Sequence, residues 1–377
     1  MIVGVPSEIK DNEYRVAATP EGVTELIKRG HTVFVEAGAG RGSAIPDGDY
    51  ISAGATIVKE ASDVWGGSDM ILKVKEPLPE EFPLLREGLI LFTFLHLAAS
   101  KDLTQALVEA KTSAVAYETI PDLQGRLPIL APMSEIAGRM APHVAANLLE
   151  KERGGRGVLM GGSAGVAPAK VVVLGAGMAG TNAAWIAAGM EAEVVIVDKD
   201  VDRLRFVDQI HRGRIQTLSV SSLALERLLP SADVVIGTVL VPGAKAPLLV
   251  SRRMIGSMRK GSVVIDVSID QGGCIETSRM TTHSDPTFVE EGVVHYCVGN
   301  MPGAVPHTST YALTNAALPF VERIVDEGLE TAATTDRSIA AGINVLRGGV
   351  TNAGVAEAHD LRLSTLEELG FGDRGDR

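Results

Sequence analysis

Lys170-Val-Val-Val-Leu-Gly175-Ala-Gly177-Met-Ala-Gly180, followed by Glu193-Val-Val-Ile-Val-Asp198, is the stretch whose reading decides the fold. A run of β-branched residues ends at Gly175, the Ala-rich segment Ala179 to Gly189 reads as a helix, and a second apolar run ends in an acid. That acid falls roughly 20 residues after the first glycine, the spacing a βαβ unit needs. Gly175 permits the tight turn out of the strand, Gly177 lets backbone N–H groups approach a pyrophosphate, and Gly180 lets the helix lie close on the sheet. The anion then meets the unsatisfied N–H groups at the helix start. Asp198, at the carboxyl end of the second strand, is placed to accept both hydroxyls of an adenosine ribose and to repel a 2′-phosphate, which favours NAD over NADP. Lys199 and Arg203 soften that repulsion. The competing reading is a glycine-rich loop that binds no nucleotide; strand, helix and acid in register weigh against it.

Composition narrows the class. A chain of 377 residues exceeds the size at which one core keeps growing, so two domains are expected. A net charge of −12 without a long basic run argues against a nucleic-acid or anionic-membrane partner. Cys274 and Cys297 form no zinc or CxxC spacing and read as buried thiols in a reducing, cytoplasmic compartment. Ile2–Val5 already reads as a strand with no cationic segment before it, so no signal peptide is expected. The longest apolar stretch, Leu89 to Ala99, is interrupted by Thr93 and His96 and is too short to span a bilayer.

Residues 1–130 alternate apolar runs (Ile2–Val5, Thr32–Glu36, Met70–Val74, Leu89–Leu95, Ser113–Tyr117) with amphipathic segments such as Pro20–Arg29 and Ser100–Ala110. That is an α/β pattern with a parallel sheet but no GxGxxG of its own. A helix from Ser134 to Lys151, capped by Ser134, opens a second series over 131–306, with strands near 170–174, 193–197, 233–237, 262–267 and 294–298. After Thr308 the chain returns to helix, Tyr311 to about Ala332, with Pro319 expected to bend it. Residues 307–377 are too few for a domain alone. The expected architecture is two Rossmann-like doubly wound α/β domains, the nucleotide-binding one inserted in a discontinuous partner, with the ligand in the cleft between them. Gly370 to Arg377 reads as a frayed tail.

Several polar residues sit where such sheets place ligands. His96 follows the run Leu89-Ile-Leu-Phe-Thr-Phe-Leu95 and is a candidate acid–base group; its alternative is a satisfied core histidine, which periodicity alone favours. Lys73 and Lys75 lie two apart, one to meet a carboxylate and the other a solvated edge charge. Arg15 is a guanidinium between strand-like segments, suited to bidentate carboxylate binding. Asp270, beyond the strand Val263-Val-Ile-Asp-Val267, reaches a carboxyl edge, whereas Asp266 sits within the strand and reads as structural.

The chain resembles the alanine dehydrogenase/pyridine nucleotide transhydrogenase family, most closely its bacterial L-alanine dehydrogenases, from the N-terminus to about residue 320. The carrying motifs are Pro6-Ser-Glu-Ile-Lys10, Glu13-Tyr-Arg-Val16, Leu72-Lys-Val-Lys-Glu-Pro77, Phe92-Thr-Phe-Leu-His-Leu-Ala98, Leu130-Ala-Pro-Met-Ser-Glu135, Gly175-Ala-Gly-Met-Ala-Gly180, Val267-Ser-Ile-Asp-Gln-Gly-Gly273 and Asn300-Met-Pro302. The resemblance implies NAD-dependent interconversion of L-alanine with pyruvate and ammonium in a hexamer. It implies that Arg15 and Lys75 bind the substrate and that His96 and Asp270 transfer protons. It places Ser134, Met178, Ala179, Asp198, Arg203, Val239, Leu240, Val267, Ser268, Ile269, Asp270, Arg279, Val298, Gly299, Asn300 and Met301 along the NAD site. Two departures stand out: Val220 replaces a Ser that can contact the cofactor, and Arg323 and Glu327 do not offer the Glu and His of a magnesium site found in some members, so no metal is expected. Alternatives are a dehydrogenase of saccharopine type with a larger substrate, a soluble transhydrogenase-like subunit, and a nucleotide sensor without turnover.

Overall fold

The computed structural model describes residues 1–239 and 246–372 and divides into two compact units, one formed by 1–133 with the chain from Val305 onward, the other by Ser134–Ala304. The first unit holds strands β1 (Ile2–Val5), β2 (Thr32–Glu36), β3 (Thr56–Val58), β4 (Met70–Leu72), β5 (Ile90–Thr93) and β6 (Ser113–Ala116). The second holds β7 (Lys170–Leu174), β8 (Glu193–Asp198), β9 (Ile215–Ser219), β10 (Val234–Gly237), β11 (Val263–Asp266), β12 (Thr287–Glu290) and β13 (Val293–Tyr296). Strands β14 (Ile343–Leu346) and β15 (Gly349–Val350) return to the first.

The first sheet runs β3-β2-β1-β4-β5-β6-β14-β15, parallel through β6 and antiparallel beyond it. The second runs β9-β8-β7-β10-β11-β13-β12, parallel except for the edge strand β12. Each sheet reverses its strand order once, between β1 and β4 and between β7 and β10. Doubly wound sheets bind ligands outside the strand carboxyl ends at such a switch point.

The apolar runs of the second sheet are continuous because both faces are covered. Val171, Val173, Ile196, Ile236 and Ile265 enter one core, and Val172, Val195, Val197, Val235 and Val264 enter the other, alternate residues taking opposite faces. The helix Met178–Gly189 buries Ala183, Ala184, Ala187 and Ala188 against the first of these. In the first unit the helix Pro20–Lys28 starts at Thr19, whose hydroxyl accepts from the Gly22 amide, and carries Pro20 at its first position.

Three expectations are corrected. The helix expected from Ser134 begins at Ala131 and ends at Leu148, so Ser134 lies inside it and cannot cap it; Pro132, which needs no N–H partner, sits in its first turn. The helix expected over Tyr311 to about Ala332 is two, Pro306–Glu327 and Leu329–Thr335, separated at Gly328 with φ +78°. The tail is not frayed at its start: Phe371 is buried, its amide donates to the Leu366 carbonyl at 2.8 Å, and the Arg347 guanidinium stacks on its ring. Among the described residues no helix is long and apolar enough to cross a membrane.

Candidate functional site

The first unit gathers charged side chains past the carboxyl ends of β1, β4, β5 and β6. Arg15 is buried and meets Glu13 in a fork, Nε to Oε1 at 2.6 Å and Nη2 to Oε2 at 2.5 Å, with Nη1 3.2 Å from the Met133 sulfur. Burial pushes the Glu13 carboxyl up, but its hydrogen bonds and charge contact with Arg15 outweigh this and hold it at about 2. Lys75 is half-buried, and burial followed by the nearby Arg15 charge lowers the pKa of its ammonium. Its side chain forms no ion pair among the described residues, so a positive group stands in the crevice with donors free.

Lys73 is different, and the expectation that the second lysine is a solvated edge charge is overturned. It is 1% exposed and lies 3.1 Å from Glu8 and 2.9 Å from Glu81. The strand ends at Leu72, and Glu8 also takes the Val74 amide at 2.6 Å, so the chain leaves the sheet around a buried charge cluster. The geometry therefore separates one structural lysine, Lys73, from one available lysine, Lys75.

His96 lies just beyond β5 at φ +48°, ψ +37°, a left-handed conformation uncommon outside glycine. Its side chain is 49% exposed, which excludes the satisfied core histidine. The Phe94 ring lies parallel to the imidazole at 5.8 Å, and Tyr117 meets Phe94 edge-on. Glu118, in the turn after β6, accepts the His96 amide at 2.6 Å and the Leu95 amide at 3.2 Å, and its Oε1 lies 3.9 Å from His96 Nδ1.

In the second unit the connection from β7 to the helix Met178–Gly189 is residues 175–177. Gly175 has φ +103°, and a methyl group on Gly180 would lie 1.7 Å from the Gly175 carbonyl oxygen, so neither position takes a side chain. Above Gly177 the nearest atom to an added Cβ is Arg203 Nη1 at 3.9 Å, leaving an open cradle at the helix start with a guanidinium beside it. Asp198 closes β8; its carboxylate accepts the Ala176 amide at 2.6 Å and the Asp200 amide at 2.9 Å. Those bonds tie the acid to the glycine loop, and each oxygen retains a lone pair for a further donor. Arg203 also lies 3.4 Å from Asp200. These residues fit a dinucleotide, the loop for its phosphates and Asp198 for its ribose.

Val267, Ser268, Ile269 and Asp270 form a short turn directly after β11. Asp270 is exposed and accepts the Asn300 amide at 3.3 Å, while an added Cβ on Gly299 would lie 3.0 Å from Asp270 Oδ1. That brings Asp270 together with Gly299 and Asn300; Val298 and Met301 beside them are buried. Asp266 is the structural acid, fully buried and accepting from Ser268 and Cys274 amides. Val239 lies against the glycine loop, 3.3 Å from the position of a Gly175 Cβ. Met178 is exposed and Ala179 lies in the first turn of the helix, its carbonyl oxygen meeting Gly138 of the preceding helix. Arg279 is exposed and stacks on Phe288, and Ser134 is half-buried in its helix. Leu240 lies outside the described residues. Val220 donates its amide to the Asp198 carbonyl and turns its side chain onto the core. Arg323 pairs with Asp336 at 2.7 Å and Glu327 at 3.4 Å.

Residues 4–137 match the family model described as alanine dehydrogenase/PNT, N-terminal domain, and residues 141–353 match the corresponding C-terminal domain. The chain belongs to the alanine dehydrogenase/PNT family. Within it, the chain is 54% identical to the alanine dehydrogenase of Mycolicibacterium smegmatis, across 96% of this chain and 97% of that one. It is 51% identical to the alanine dehydrogenase of Methanococcus maripaludis, across 98% and 99%. Among solved structures, an L-alanine dehydrogenase superposes with a TM-score of 0.93 at 46% identity, covering 96% of this chain and 99% of that one. A transhydrogenase from Sinorhizobium meliloti superposes at 0.82 with 29% identity, over 93% and 100%.

The alanine dehydrogenase/PNT fold thus brings Arg15 and Lys75 to the switch point of the first sheet, with His96 past the end of the next strand, β5, and the glycine loop, Asp198, Val239 and Asp270 to the strand ends of the other sheet. Sequence reasoning missed the acids of this crevice: Glu13 beside Arg15, Glu118 beside His96, and Glu8 and Glu81 around Lys73. Glu118 carried the same signal as His96, a charged residue just past a strand's carboxyl end. Glu13 had only its place in Glu13-Tyr-Arg15, which no periodicity distinguishes from a surface acid.

Proposed function

We propose that this protein catalyses the NAD-dependent oxidative deamination of L-alanine to pyruvate and ammonia, and the reverse reductive amination. The observation that carries the proposal is near-full-length identity of 54% and 51% to alanine dehydrogenases, combined with two cations at the switch point of the first sheet, the Arg15 guanidinium held by Glu13 and the Lys75 ammonium. In this reading the first unit holds the amino acid and the second holds NAD.

Arg15 and Lys75 grip the substrate carboxylate and the oxygen of the keto acid. Glu13 keeps the guanidinium plane fixed, so little side-chain freedom is lost on binding. When bound, NAD supplies the acceptor for the hydride that leaves Cα, which turns the amine into an imine. His96 then removes a proton from water as its oxygen bonds to the imine carbon, giving a carbinolamine. The imidazolium returns that proton to nitrogen, and as the C–N bond breaks the neutral imidazole takes the carbinolamine hydroxyl proton, so that ammonia leaves, the C=O of pyruvate forms and the last proton passes from His96 to solvent. Asp270 supplies negative charge opposite the cationic imine and the departing ammonium. Positioning of this kind contributes several kcal/mol to the barrier reduction.

The finer assignments of the same reading are a homo-hexamer working in the cytoplasm in amino-acid catabolism. The hexamer rests on the family, and the compartment is supported by two buried, unpaired cysteines. The deciding experiment is NAD reduction at alkaline pH with a panel of amino acids. L-alanine is expected to give a higher kcat/KM than serine, valine, glutamate or lysine, and pyruvate with ammonium is expected to oxidise NADH. A larger kcat/KM for glutamate or lysine overturns the substrate assignment.

A further inference from the structure

We propose that Glu118 is the positioning residue for His96, holding its backbone in the left-handed conformation and presenting one defined ring nitrogen for proton transfer. The proposal rests on the reading of His96 as the proton-transfer group. Three contacts converge on one oxygen: Glu118 Oε1 accepts the His96 amide at 2.6 Å and the Leu95 amide at 3.2 Å, and lies 3.9 Å from His96 Nδ1. The second oxygen takes the Leu95 amide at 3.3 Å.

These contacts answer two requirements of the segment. A non-glycine residue at φ +48° persists only where its surroundings over-determine it, and two successive amides drawn to one carboxylate do so. A half-exposed imidazole turns freely about its side-chain bonds unless an edge is engaged, and the partner of one ring nitrogen sets the role of the other. At 3.9 Å the carboxylate is beyond hydrogen-bond reach of Nδ1 and draws that edge of the ring by charge alone; with Phe94 lying parallel to the ring, Nε2 is left as the working nitrogen.

Glu118 is itself held. Its neighbour Tyr117 is buried between Phe92 and Phe94, with ring centroids 4.5 and 5.1 Å away. On its other side the Thr119 hydroxyl donates to Asn344 at 2.9 Å. Because β5 and β6 pair in parallel with Thr93 opposite Ala116, the turn carrying Glu118 reaches the same level as the turn carrying His96. The brace is thus built from the adjacent strand, a rigid element.

Two substitutions separate the backbone brace from the charge. Glu118→Gln keeps an oxygen where Oε1 now takes both amides, and loses the charge beside Nδ1. Glu118→Ala loses both. The readouts are kcat, KM for L-alanine, NADH affinity by fluorescence and the melting temperature, measured in the wild-type background and in His96→Ala. For Glu118→Ala the expected loss in kcat is roughly 10–100-fold, below the 10²–10⁴ of the acid–base group itself. KM and NADH affinity are expected to stay within about threefold. Glu118→Gln is expected to recover part of that kcat. In the His96→Ala background neither change should lower turnover further, because a residue that acts through His96 has nothing left to position.

Losses that multiply in the double variant, or a kcat for Glu118→Ala within twofold of wild type, overturn the proposal. If Glu118→Ala does not fold, Glu118→Gln decides by the same criterion: a fall in kcat that vanishes without His96 supports the role, and an unchanged kcat or one that falls equally in both backgrounds refutes it. His96→Ala alone tests the underlying reading. Near-normal turnover there removes the proton-transfer role of His96 and this proposal with it. A large loss there with additive Glu118 effects removes this proposal only.

Discussion

The two sheets share the strand order 3-2-1-4-5 through their first five positions, all parallel, yet they present opposite chemistries at the switch point. After β7 the chain turns within residues 175–177 and enters its helix, so what faces the crevice is backbone: amide N–H groups, an open space over Gly177 and a helix start. After β1 the next helix does not begin until Pro20, and residues 6–19 bring in Glu8, Glu13 and Arg15 as side chains. Topology thus fixes where a ligand sits, and the length of the first connection fixes what greets it. A short glycine turn suits a diffuse pyrophosphate, which backbone dipoles can cradle. A small carboxylate needs directional charge, and side chains braced by buried acids provide it.

The sharpest way to break this contrast is to remove chemistry from one crevice and watch the other. His96→Ala should lower turnover on the order of 10²–10⁴ while leaving the melting temperature near wild type, because the imidazole is half-exposed. NADH affinity should be nearly unchanged, since the glycine loop and Asp198 belong to the other unit. Single-turnover NADH formation and thermal melts decide. A large drop in melting temperature with normal turnover in the folded fraction would show His96 to be structural after all.

The two lysines of the first crevice sharpen the contrast within one turn. Lys73→Ala strands Glu8 and Glu81 as buried carboxylates and should cost about 3–5 kcal/mol of stability in denaturant titrations. Lys75→Ala removes a cation that burial and Arg15 already disfavour, so stability should hold while most activity disappears. Equal unfolding midpoints for the two variants would mean that the buried cluster around Lys73 does not support the fold.

Legibility followed the same divide. Strands with unbroken β-branched runs, such as Val171-Val-Val173 and Val194-Val-Ile-Val197, were readable because both faces are buried. The edge strand Ile215-Gln-Thr-Leu-Ser219 escaped because it is half solvated and polar, and Thr56–Val58 because it is too short for a period. The hairpin joining β14 to β15 turns on Arg347 and Gly348, both at positive φ, and Arg-Gly lacks the Asn-Gly or Asp-Gly signature of such turns. Arg15, Lys75 and His96 were visible as types at strand ends. Which lysine was engaged, and what held the His96 backbone, depended on acids distant in sequence: Glu8 for Lys73 and Glu118 for His96.

Asp198 tests the backbone crevice with a smaller effect. Asp198→Ala should narrow the preference for NAD over NADP by roughly one to two decades, since hydrogen bonds to a charged acceptor contribute about 1.5–3 kcal/mol. The carboxylate also holds the Ala176 and Asp200 amides, so NADH affinity itself should fall as the glycine loop loosens. Fluorescence titration with both nucleotides measures the two effects separately. Equal use of NAD and NADP by the unaltered protein would instead assign Lys199 and Arg203 to a phosphate.

The smallest expected effect separates the units by their response to acid. His295 is fully buried in β13, its Nδ1 at 3.0 Å from the Val293 carbonyl and its Nε2 at 2.7 Å from the Thr277 hydroxyl, with Phe288 stacked on the ring. Burial lowers its pKa below the ordinary 6.5, the Val293 hydrogen bond and Glu290 opposing and Arg252 adding to the shift. The unfolded chain therefore binds this proton more readily, so the stability His295 confers is complete above pH 6.5 and declines as pH falls below it. In the first unit Glu13, held at about 2, behaves the same way in a lower window: its contribution is complete above 4.5 and is lost only as pH drops toward 2. Mild acid, between about pH 6.5 and 5, should thus loosen the second unit before Glu13 weakens the first. Hydrogen–deuterium exchange resolved by unit at pH 7.5 and 5.5, corrected for the intrinsic rate, should show lost protection around β12 and β13. In His295→Gln, which keeps a donor and an acceptor but does not titrate, that difference should disappear; a difference that persists would locate the acid sensitivity elsewhere.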